Sequence, residues 1–272
     1  MCGRITTNFE KGEKEMIDFI YNINHKNIYI YCEVEEYCHK IEKWLSAYDI
    51  ISSNKYNSYI KIYKNKVVWN IDGIEKIISN KIKHTDLYPL FYNLIANAVL
   101  DDDNVLLHSA VLCYNNVGIL VVGDFDSGKT TLCLKAMENN VEVVSADQTH
   151  LGYAKNKIML RRGSLYMRIG EDNEVFLNPA KSEIEIKLII NLVGICDNGK
   201  LYFDVVDNKE HIVKKMFKFC TWHSDIPLFT ETKMLNIDRT NIYRWLSRIN
   251  IPFYNVRGDS KNIIIKIKKV LK

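Results

Sequence analysis

The sequence is poor in the features that mark membrane and secreted proteins. Proline accounts for only 4 of its 272 residues, and no apolar run reaches the ~18 residues of a membrane span. Residues 1–8 contain no apolar core of a signal peptide. No glycine-rich linker and no internal repeat interrupts the chain. We therefore expect a soluble globular protein, long enough to bury a large core and with no membrane partner.

The charge balance and the cysteines narrow the class further. The 37 basic and 33 acidic residues give a net charge of only +4, and no basic-aromatic stripe occurs, so we expect no nucleic-acid partner. The 7 cysteines are odd in number and scattered, which predicts free thiols in a reducing, cytoplasmic compartment. Cys32, Cys38 and His39 lack a second pair of ligands, so they do not predict a zinc site.

One stretch carries a strong chemical signal, because Gly123 to Thr130 fits the pattern G-x-x-x-x-G-K-[ST]. An apolar run at 119–122 precedes it and predicts a buried strand, and the helix formers of 132–137 follow it. Glycines let the loop curl so that successive N–H groups point at an anion, and the helix N-terminus adds partial positive charge. The predicted nucleotide-binding residues are Gly123, Asp124, Phe125, Asp126, Ser127, Gly128, Lys129, Thr130 and Thr131.

The same motif predicts ATP and Mg²⁺ as cofactors. Lys129 would reach the β- and γ-phosphates, and the Thr130 hydroxyl would help to hold Mg²⁺. We expect the acidic side chains of Asp124 and Asp126 to point away from the phosphates while their N–H groups point inward. The alternative is an ordinary glycine-bearing turn between a strand and a helix.

Residues 1–98 carry no strong chemical signal and are predicted to form a smaller α/β region. Their composition and periodicity predict a strand at 27–34, a helix at 36–48, and a hairpin at 58–71 that turns at 64–66. A further helix is predicted from Tyr88 to Leu100, with Pro89 in its first turn. Because no linker follows, we expect this region to pack onto residues 99–272. It is a candidate for binding the substrate.

Residues 99–150 contain two further candidates for chemistry. We interpret 105–114 as one strand with His108 inside it, followed by a hairpin turn at 115–116. The run 141–151 predicts a second buried strand with Asp147 near its carboxyl end, where ligands of open α/β sheets bind. The alternatives are a satisfied core histidine and an aspartate that caps a turn.

The remaining segments complete the expected fold. We predict a strand at 157–162, a mobile loop at 171–181, and a strand at 188–194 that pairs with 200–206 across the turn 197–200. Helices are predicted at 209–220, 240–249 and 260–272, with a short strand at 251–256. Met137, Trp222 and Trp245 fit core faces.

With these motifs in order, the chain resembles HPr kinase/phosphorylase and its relatives, which include bacterial serine kinases and peptide-tailoring kinases. The resemblance is carried by Leu107-His108-Ser109-Ala110-Val111, by 118–131 and by Ser145-Ala146-Asp147, with weaker support at 251–254. It covers about residues 99–260. It implies a mixed α/β sheet of α+β character, in which 99–272 form a kinase domain akin to phosphoenolpyruvate carboxykinase.

The resemblance also implies roles for single residues. Asp147 would hold Mg²⁺ or take the proton of the acceptor hydroxyl, with Gln148 as its hydrogen-bonding partner, and His108 would contact phosphate or steady Asp147. The family usually has two adjacent acids here, and its signature after the lid has no match in this chain, so HPr as substrate and phosphorolysis are not implied. Further candidates, for a phosphoryl group or an acidic substrate, are Arg161, Arg162 and Arg168.

The sequence thus predicts an ATP- and Mg²⁺-dependent kinase that acts on a hydroxyl, in the first place a serine of a peptide or small protein. A tailoring kinase for a ribosomally made peptide fits this description. The alternatives are a small-molecule kinase for free serine or a sugar-like alcohol, and a nucleotide-gated binding module without transfer. The relatives are often oligomeric, which leaves a homo-oligomer open.

Overall fold

The computed structural model describes residues 16–71, 73–78, 84–169, 173–178, 183–196, 199–221 and 238–272. Residues 1–8, Trp222 and positions 197–198 of the predicted turn lie outside this part of the chain. Within it, the predicted α/β class with a mixed sheet is confirmed. Helices are interspersed with strands along the chain, and the two large sheets contain both parallel and antiparallel pairs. No described helix combines the length and the apolar character that a membrane span requires.

The first sheet has six strands in the order β3-β1-β2-β4-β5-β6. Its strands are β1 (Ile17–Ile23), β2 (Lys26–Cys32), β3 (Asp49–Ile51), β4 (Ser58–Ile62), β5 (Val67–Ile71) and β6 (Ile74–Ile78), with helix α1 (Glu35–Leu45) between β2 and β3. Strands β2 and β4 are parallel, and β4 and β5 form the predicted hairpin. Along β4 every second residue is buried, so one face of this sheet contributes to the core.

The second sheet has nine strands and contains the glycine loop. The strands that follow in the chain are β7 (Asn104–Leu107), β8 (Ala110–Tyr114), β9 (Val117–Val122), β10 (Glu142–Ser145), β11 (Thr149–Ala154), β12 (Lys157–Gly163), β13 (Tyr166–Ile169), β14 (Asn173–Phe176), β15 (Ile184–Ile195), β16 (Leu201–Val205) and β17 (Phe253–Gly258). The strand order in the nine-stranded sheet is β10-β8-β9-β15-β12-β11-β7, with β17 beside β15 and β16 beside β17. Strands β13 and β14 form a separate hairpin.

Helices cover both faces of the nine-stranded sheet. They are α2 (His84–Val99), α3 (Lys129–Glu138), α4 (Lys209–Cys220), α5 (Arg239–Ser247) and α6 (Ser260–Val270). Along β9, Ile119 and Val121 belong to the core cluster of α3 and α6, whereas Leu120 and Val122 belong to the cluster that contains residues of α2, α4 and α5. A strand that is buried on both faces is apolar at consecutive positions, which is why the run at 119–122 predicts a buried strand.

The expected strand at 105–114 is wrong in one respect, because it is broken at 108–109. Strand β7 pairs with β11, whereas β8 pairs with β9 and β10. The chain therefore passes from β7, the last strand of the sheet order, to β8, the second strand, within two residues. The expected strand at 141–151 is broken at 146–148 for the same reason, since β10 pairs with β8 and β11 with β7. The sheet curls until its two ends meet at these two corners.

Four further expectations need correction. Met137 is exposed, with a relative exposure of 44%, and does not lie on a core face. Helix α2 begins at His84, so Pro89 lies inside it rather than in its first turn. Within the predicted loop 171–181, residues 173–176 form β14, which pairs with β13. Strand β16 pairs with β17 and not with β15. Strand β17 takes the inner place because its Phe253 and Val256 are fully buried, whereas the residues of β16 are half-buried or exposed.

Candidate functional site

The glycine loop lies at the carboxyl end of β9, where three segments of the chain converge. Val121 pairs with Ala110 at the start of β8, and Val122 pairs with Asn191 of the parallel strand β15. Ser145, at the end of β10, pairs with Val111. The register therefore places the loop beside both sheet corners, 108–109 and 146–148. The sequence-predicted His108 and Asp147 are thus brought to the same end of the sheet as the loop.

Both glycines of the loop are required by sterics. A Cβ at Gly123 would lie 2.5 Å from the Ser127 hydroxyl and 2.7 Å from the Leu192 carbonyl oxygen. Gly128 has a φ of 94°, and a Cβ there would lie 2.5 Å from Ile195 Cγ1. The backbone can curl against β15 only because these two positions lack side chains. Helix α3 begins at the next residue, Lys129, so its free N–H groups face the loop.

Lys129 lies across the mouth of its own loop. Its Nζ donates hydrogen bonds to the Gly123 carbonyl at 2.7 Å and to the Asp124 carbonyl at 3.1 Å. Burial lowers the pKa of Lys129, and the charges of Asp147 and Asp124 oppose that shift. The ammonium is therefore held by carbonyl oxygens that a phosphate oxygen could replace.

The other loop positions divide into exposed and buried side chains. Asp124, Phe125 and Asp126 are exposed. The Ser127 hydroxyl is buried, and it has no hydrogen-bonding partner among the described residues. At the start of α3, Thr130 is half-buried and Thr131 is exposed. A buried hydroxyl without a partner inside a glycine loop fits a site that a ligand completes.

Asp147 occupies the second sheet corner in a left-handed conformation, with a φ of 61°. Its carbonyl accepts a hydrogen bond from the Ser109 N–H at 3.3 Å, which ties the two corners together. Burial raises the pKa of the Asp147 carboxyl, and the positive charge of Lys129 opposes this effect. Asp147 also contributes, after burial, to raising the pKa of Cys133 to about 12. Since Cys133 follows Thr130 by three residues on α3, Asp147 lies beside the first turn of that helix.

His108 is nearly buried at the first corner, with a relative exposure of 9%. The backbone N–H of His108 donates to the Phe219 carbonyl at 2.9 Å, and the Tyr92 hydroxyl donates to the same oxygen at 3.1 Å. The corner is thereby fixed to the end of α4 and to α2. His108 lies in the break between two strands and not, as expected, inside one strand.

Gln148 is buried beside Asp147, with a relative exposure of 2%. Neither its Oε1 nor its Nε2 has a partner with good hydrogen-bond geometry among the described residues. The Tyr88 hydroxyl of α2 lies close to it: burial and the Asp147 charge raise the Tyr88 pKa, and Gln148 opposes the shift. A residue from the predicted N-terminal region therefore reaches the surroundings of Asp147.

Arg161 and Arg162 lie in a different place from the glycine loop. They line a cleft of about 380 Å³. Arg162 pairs with Asp49 at 2.9 Å, and Arg161 lies 3.5 Å from Glu183. The other lining residues are Asn22, Asn24, His25, Tyr48, Asp49, Asn104 and His150. No residue of the loop and neither sheet corner lines this cleft.

Arg168 lies on the β13–β14 hairpin. Its side chain is exposed, and its strand position is opposite Glu174. The neighbouring Met167 is buried in the core cluster that contains Leu132 and Cys133 of α3. The hairpin therefore packs against the helix that follows the glycine loop, and Arg168 lies on its exposed side.

The donor set fits a magnesium nucleotide. The two glycines leave a cradle that a Cβ would fill, Lys129 supplies a cation, and Thr130 and Asp147 are oxygen ligands of the kind that Mg²⁺ prefers. Among the described residues no group of three or more His, Cys, Asp or Glu side chains could hold a metal ion alone. Mg²⁺ is usually held by one or two protein ligands together with phosphate oxygens and water.

Two residues at the site were not identified from the sequence. Lys218 of α4 forms an ion pair with Asp124, with 2.5 Å between Nζ and Oδ1. Tyr88 of α2 lies near Gln148, as described above. Neither belongs to a motif, and both are far from their partners in sequence. No local pattern could have identified them.

No family model matches the chain. No curated protein matches it either. Among solved structures, the chain is similar to the Hpr(Ser) kinase/phosphatase from Coxiella burnetii, with 15% sequence identity and a TM-score of 0.34. The alignment covers 61% of this chain and 93% of that protein.

Proposed function

We propose that the protein is an ATP- and Mg²⁺-dependent kinase that transfers the γ-phosphoryl group to a hydroxyl, in the first place a serine of a peptide or small protein. The observation that carries this proposal is the convergence of three groups at one end of the sheet. These are the curled loop between Gly123 and Gly128, the ammonium of Lys129, and the corner that bears Asp147.

Phosphoryl transfer requires positioning and charge neutralisation more than covalent work by the protein. The loop amides and the N-terminus of α3 bind the phosphates, and Lys129 exchanges its contacts with loop carbonyls for phosphate oxygens. Thr130 would hold Mg²⁺, with Asp147 as the candidate second ligand, and the ion would neutralise charge on the phosphates. The alternative role of Asp147 is to orient the acceptor hydroxyl or to accept its proton.

The elevated pKa of Asp147 is consistent with proton acceptance. A carboxylate whose ionised form is destabilised by burial accepts a proton more readily than an exposed one. Gln148 and His108 lie at the two corners, which the hydrogen bond from the Ser109 N–H to the Asp147 carbonyl joins. We assign them to positioning, and Tyr88 is placed to assist Gln148.

The acceptor can be tested directly with the full chain. Labelled ATP and Mg²⁺ are incubated with candidate serine peptides and, separately, with free serine. Label on a peptide supports the proposal, and label on free serine supports a small-molecule kinase instead. ATP binding without any acceptor supports a nucleotide-gated binding module.

Two substitutions test the roles of Lys129 and Asp147. Lys129→Ala should abolish ATP turnover, because the cation at the phosphates is lost. Asp147→Asn should preserve ATP binding but lower transfer by at least about 100-fold, the usual size of a general-base effect. Unchanged transfer in Asp147→Asn would remove Asp147 from the mechanism.

A further inference from the structure

We propose that Lys218 is a second phosphate-binding cation of the candidate site, and that Asp124 holds it in place until a nucleotide binds. This rests on the proposed function, since it adds a residue for the same nucleotide. Lys218 lies outside the glycine-loop motif, 94 residues after Asp124 in the sequence. The curl of the sheet brings α4 to the loop.

The backbone that carries Lys218 is firmly anchored. Its neighbour Phe219 is fully buried, and the Phe219 carbonyl accepts hydrogen bonds from the His108 N–H and the Tyr92 hydroxyl. The last turn of α4 is therefore fixed against the corner beside the glycine loop. Lys218 itself is exposed and extends from this fixed position toward Asp124.

The ion pair contributes little to folding. The side chains of Lys218 and Asp124 are 52% and 54% exposed, although Nζ and Oδ1 are only 2.5 Å apart. Exposed ion pairs of this kind stabilise proteins weakly. A variant of Lys218 should therefore fold, and changes in nucleotide binding can be measured on folded protein.

Two ammonium groups meet at Asp124 from different sides. Lys129 Nζ contacts the Asp124 carbonyl at 3.1 Å, and Lys218 Nζ contacts its carboxylate. A polyphosphate in the loop offers more negative charge and more acceptor oxygens than one carboxylate. Lys218 would exchange the carboxylate for a phosphate oxygen, as Lys129 exchanges its carbonyls, and the exposed Asp124 would return to water.

The closing experiment measures Mg²⁺-ATP affinity by calorimetric titration of the full chain. Lys218→Ala should weaken binding about tenfold or more, the usual effect of losing a charge-assisted hydrogen bond. Lys218→Arg should restore most of the affinity, because the charge is kept. The matched control is Lys209→Ala, which removes an exposed lysine at the other end of the same helix and should bind ATP like the wild type.

A double substitution separates phosphate binding from simple neutralisation of Asp124. If Lys218 only neutralised that carboxylate, Lys218→Ala would have no effect once Asp124→Asn is present. We expect Lys218→Ala to weaken ATP binding about tenfold in that background as well. Equal affinity of Asp124→Asn with and without Lys218 would overturn the inference.

Failure of the proposed function is distinguishable from failure of this inference. Wild-type protein that does not bind ATP would remove the proposed function. Wild-type binding that is lost in Lys129→Ala but unchanged in Lys218→Ala would remove only the role of Lys218. Melting temperatures of all variants should agree within a few degrees, which excludes misfolding as the cause of a lost affinity.

Discussion

At the scale of single residues, Asp147 is where folding and chemistry conflict. Burial raises the pKa of its carboxyl, which means that the ionised form costs stability in the folded protein. Its left-handed backbone conformation, with a φ of 61°, adds a further cost that Asp and Asn tolerate better than most residues. Costs of this kind are concentrated at functional sites.

We therefore predict that Asp147→Asn stabilises the protein while it stops transfer. The folded pKa of Asp147 is raised, so the wild type is penalised as the pH rises through that pKa and is not penalised once the carboxyl is protonated. At pH 7, where the wild-type carboxyl is ionised, the variant should therefore melt at a higher temperature than the wild type. The gain should shrink as the pH falls toward the ordinary value of 3.8.

Thermal unfolding of both proteins across that pH range is the measurement. Lower stability of the variant at pH 7 would show instead that Asp147 is a structural capping residue.

His150 gives a second prediction, about acid stability. It is buried, and its Nε2 lies 3.1 Å from Asn104 Oδ1. Asn104 Nδ2 contacts the Asp101 carboxylate, so the Asn104 oxygen faces the histidine and accepts its Nε2–H. Burial, assisted by the charge of Arg161, lowers the pKa of His150 to about 4 from 6.5.

Because the pKa of His150 is depressed in the folded protein, protonation of this residue costs no stability above pH 6.5. The folded protein loses stability as the pH falls from 6.5 toward 4. His150→Gln cannot titrate and keeps a donor for Asn104. The wild type should lose on the order of 3 kcal/mol more than this variant over that interval. Denaturant unfolding at several pH values tests this, and parallel curves for the two proteins would contradict it.

At the scale of elements, β9, the glycine loop and α3 act as one unit supported by β15. We predict that Gly123→Ala and Gly128→Ala each weaken ATP binding at least tenfold. The added Cβ would meet Leu192 in the first case and Ile195 in the second, so the loop would have to shift. The control is Gly194→Ala on β15, where a Cβ meets no heavy atom within 4 Å. Equal ATP affinity in all three variants would mean that the loop does not bind the phosphates.

Much of this unit could be predicted from the sequence, because its signals are local. The buried strand, the glycine spacing and the helix formers lie within 117–138, and the structure places β9 and α3 there. The paired β-strands 58–62 and 67–71 were predicted for the same reason, since their alternation and turn are contiguous. Helices α1, α4, α5 and α6 also lie close to the ranges predicted for them.

The pairing of distant strands could not be predicted in this way. Apolar content alone does not show that 105–114 changes partners at His108, or that β17 lies between β15 and β16. The contact of Lys218 with Asp124 depends on the same long-range arrangement. The roles of Arg161, Arg162 and Arg168 as substrate contacts remain predictions, and Arg161 and Arg162 line a cleft that contains no residue of the glycine loop.

At the scale of the whole molecule, the curl of the nine-stranded sheet assembles the site. It brings both sheet corners, the glycine loop and the end of α4 together, although these lie between residues 108 and 219 of the chain. Helix α2 adds Tyr88 and Tyr92 to the same surroundings. The division into 1–98 and 99–272 remains a prediction, and the contacts of α2 indicate how the first region would serve the second.

The most direct test of the central claim is a titration of the full chain with Mg²⁺-ATP. We expect the wild type to bind saturably and Lys129→Ala to bind at least about tenfold more weakly, because the loop and its lysine bind the phosphates. A wild-type protein that shows no binding, or a Lys129→Ala variant with wild-type affinity, would contradict the account.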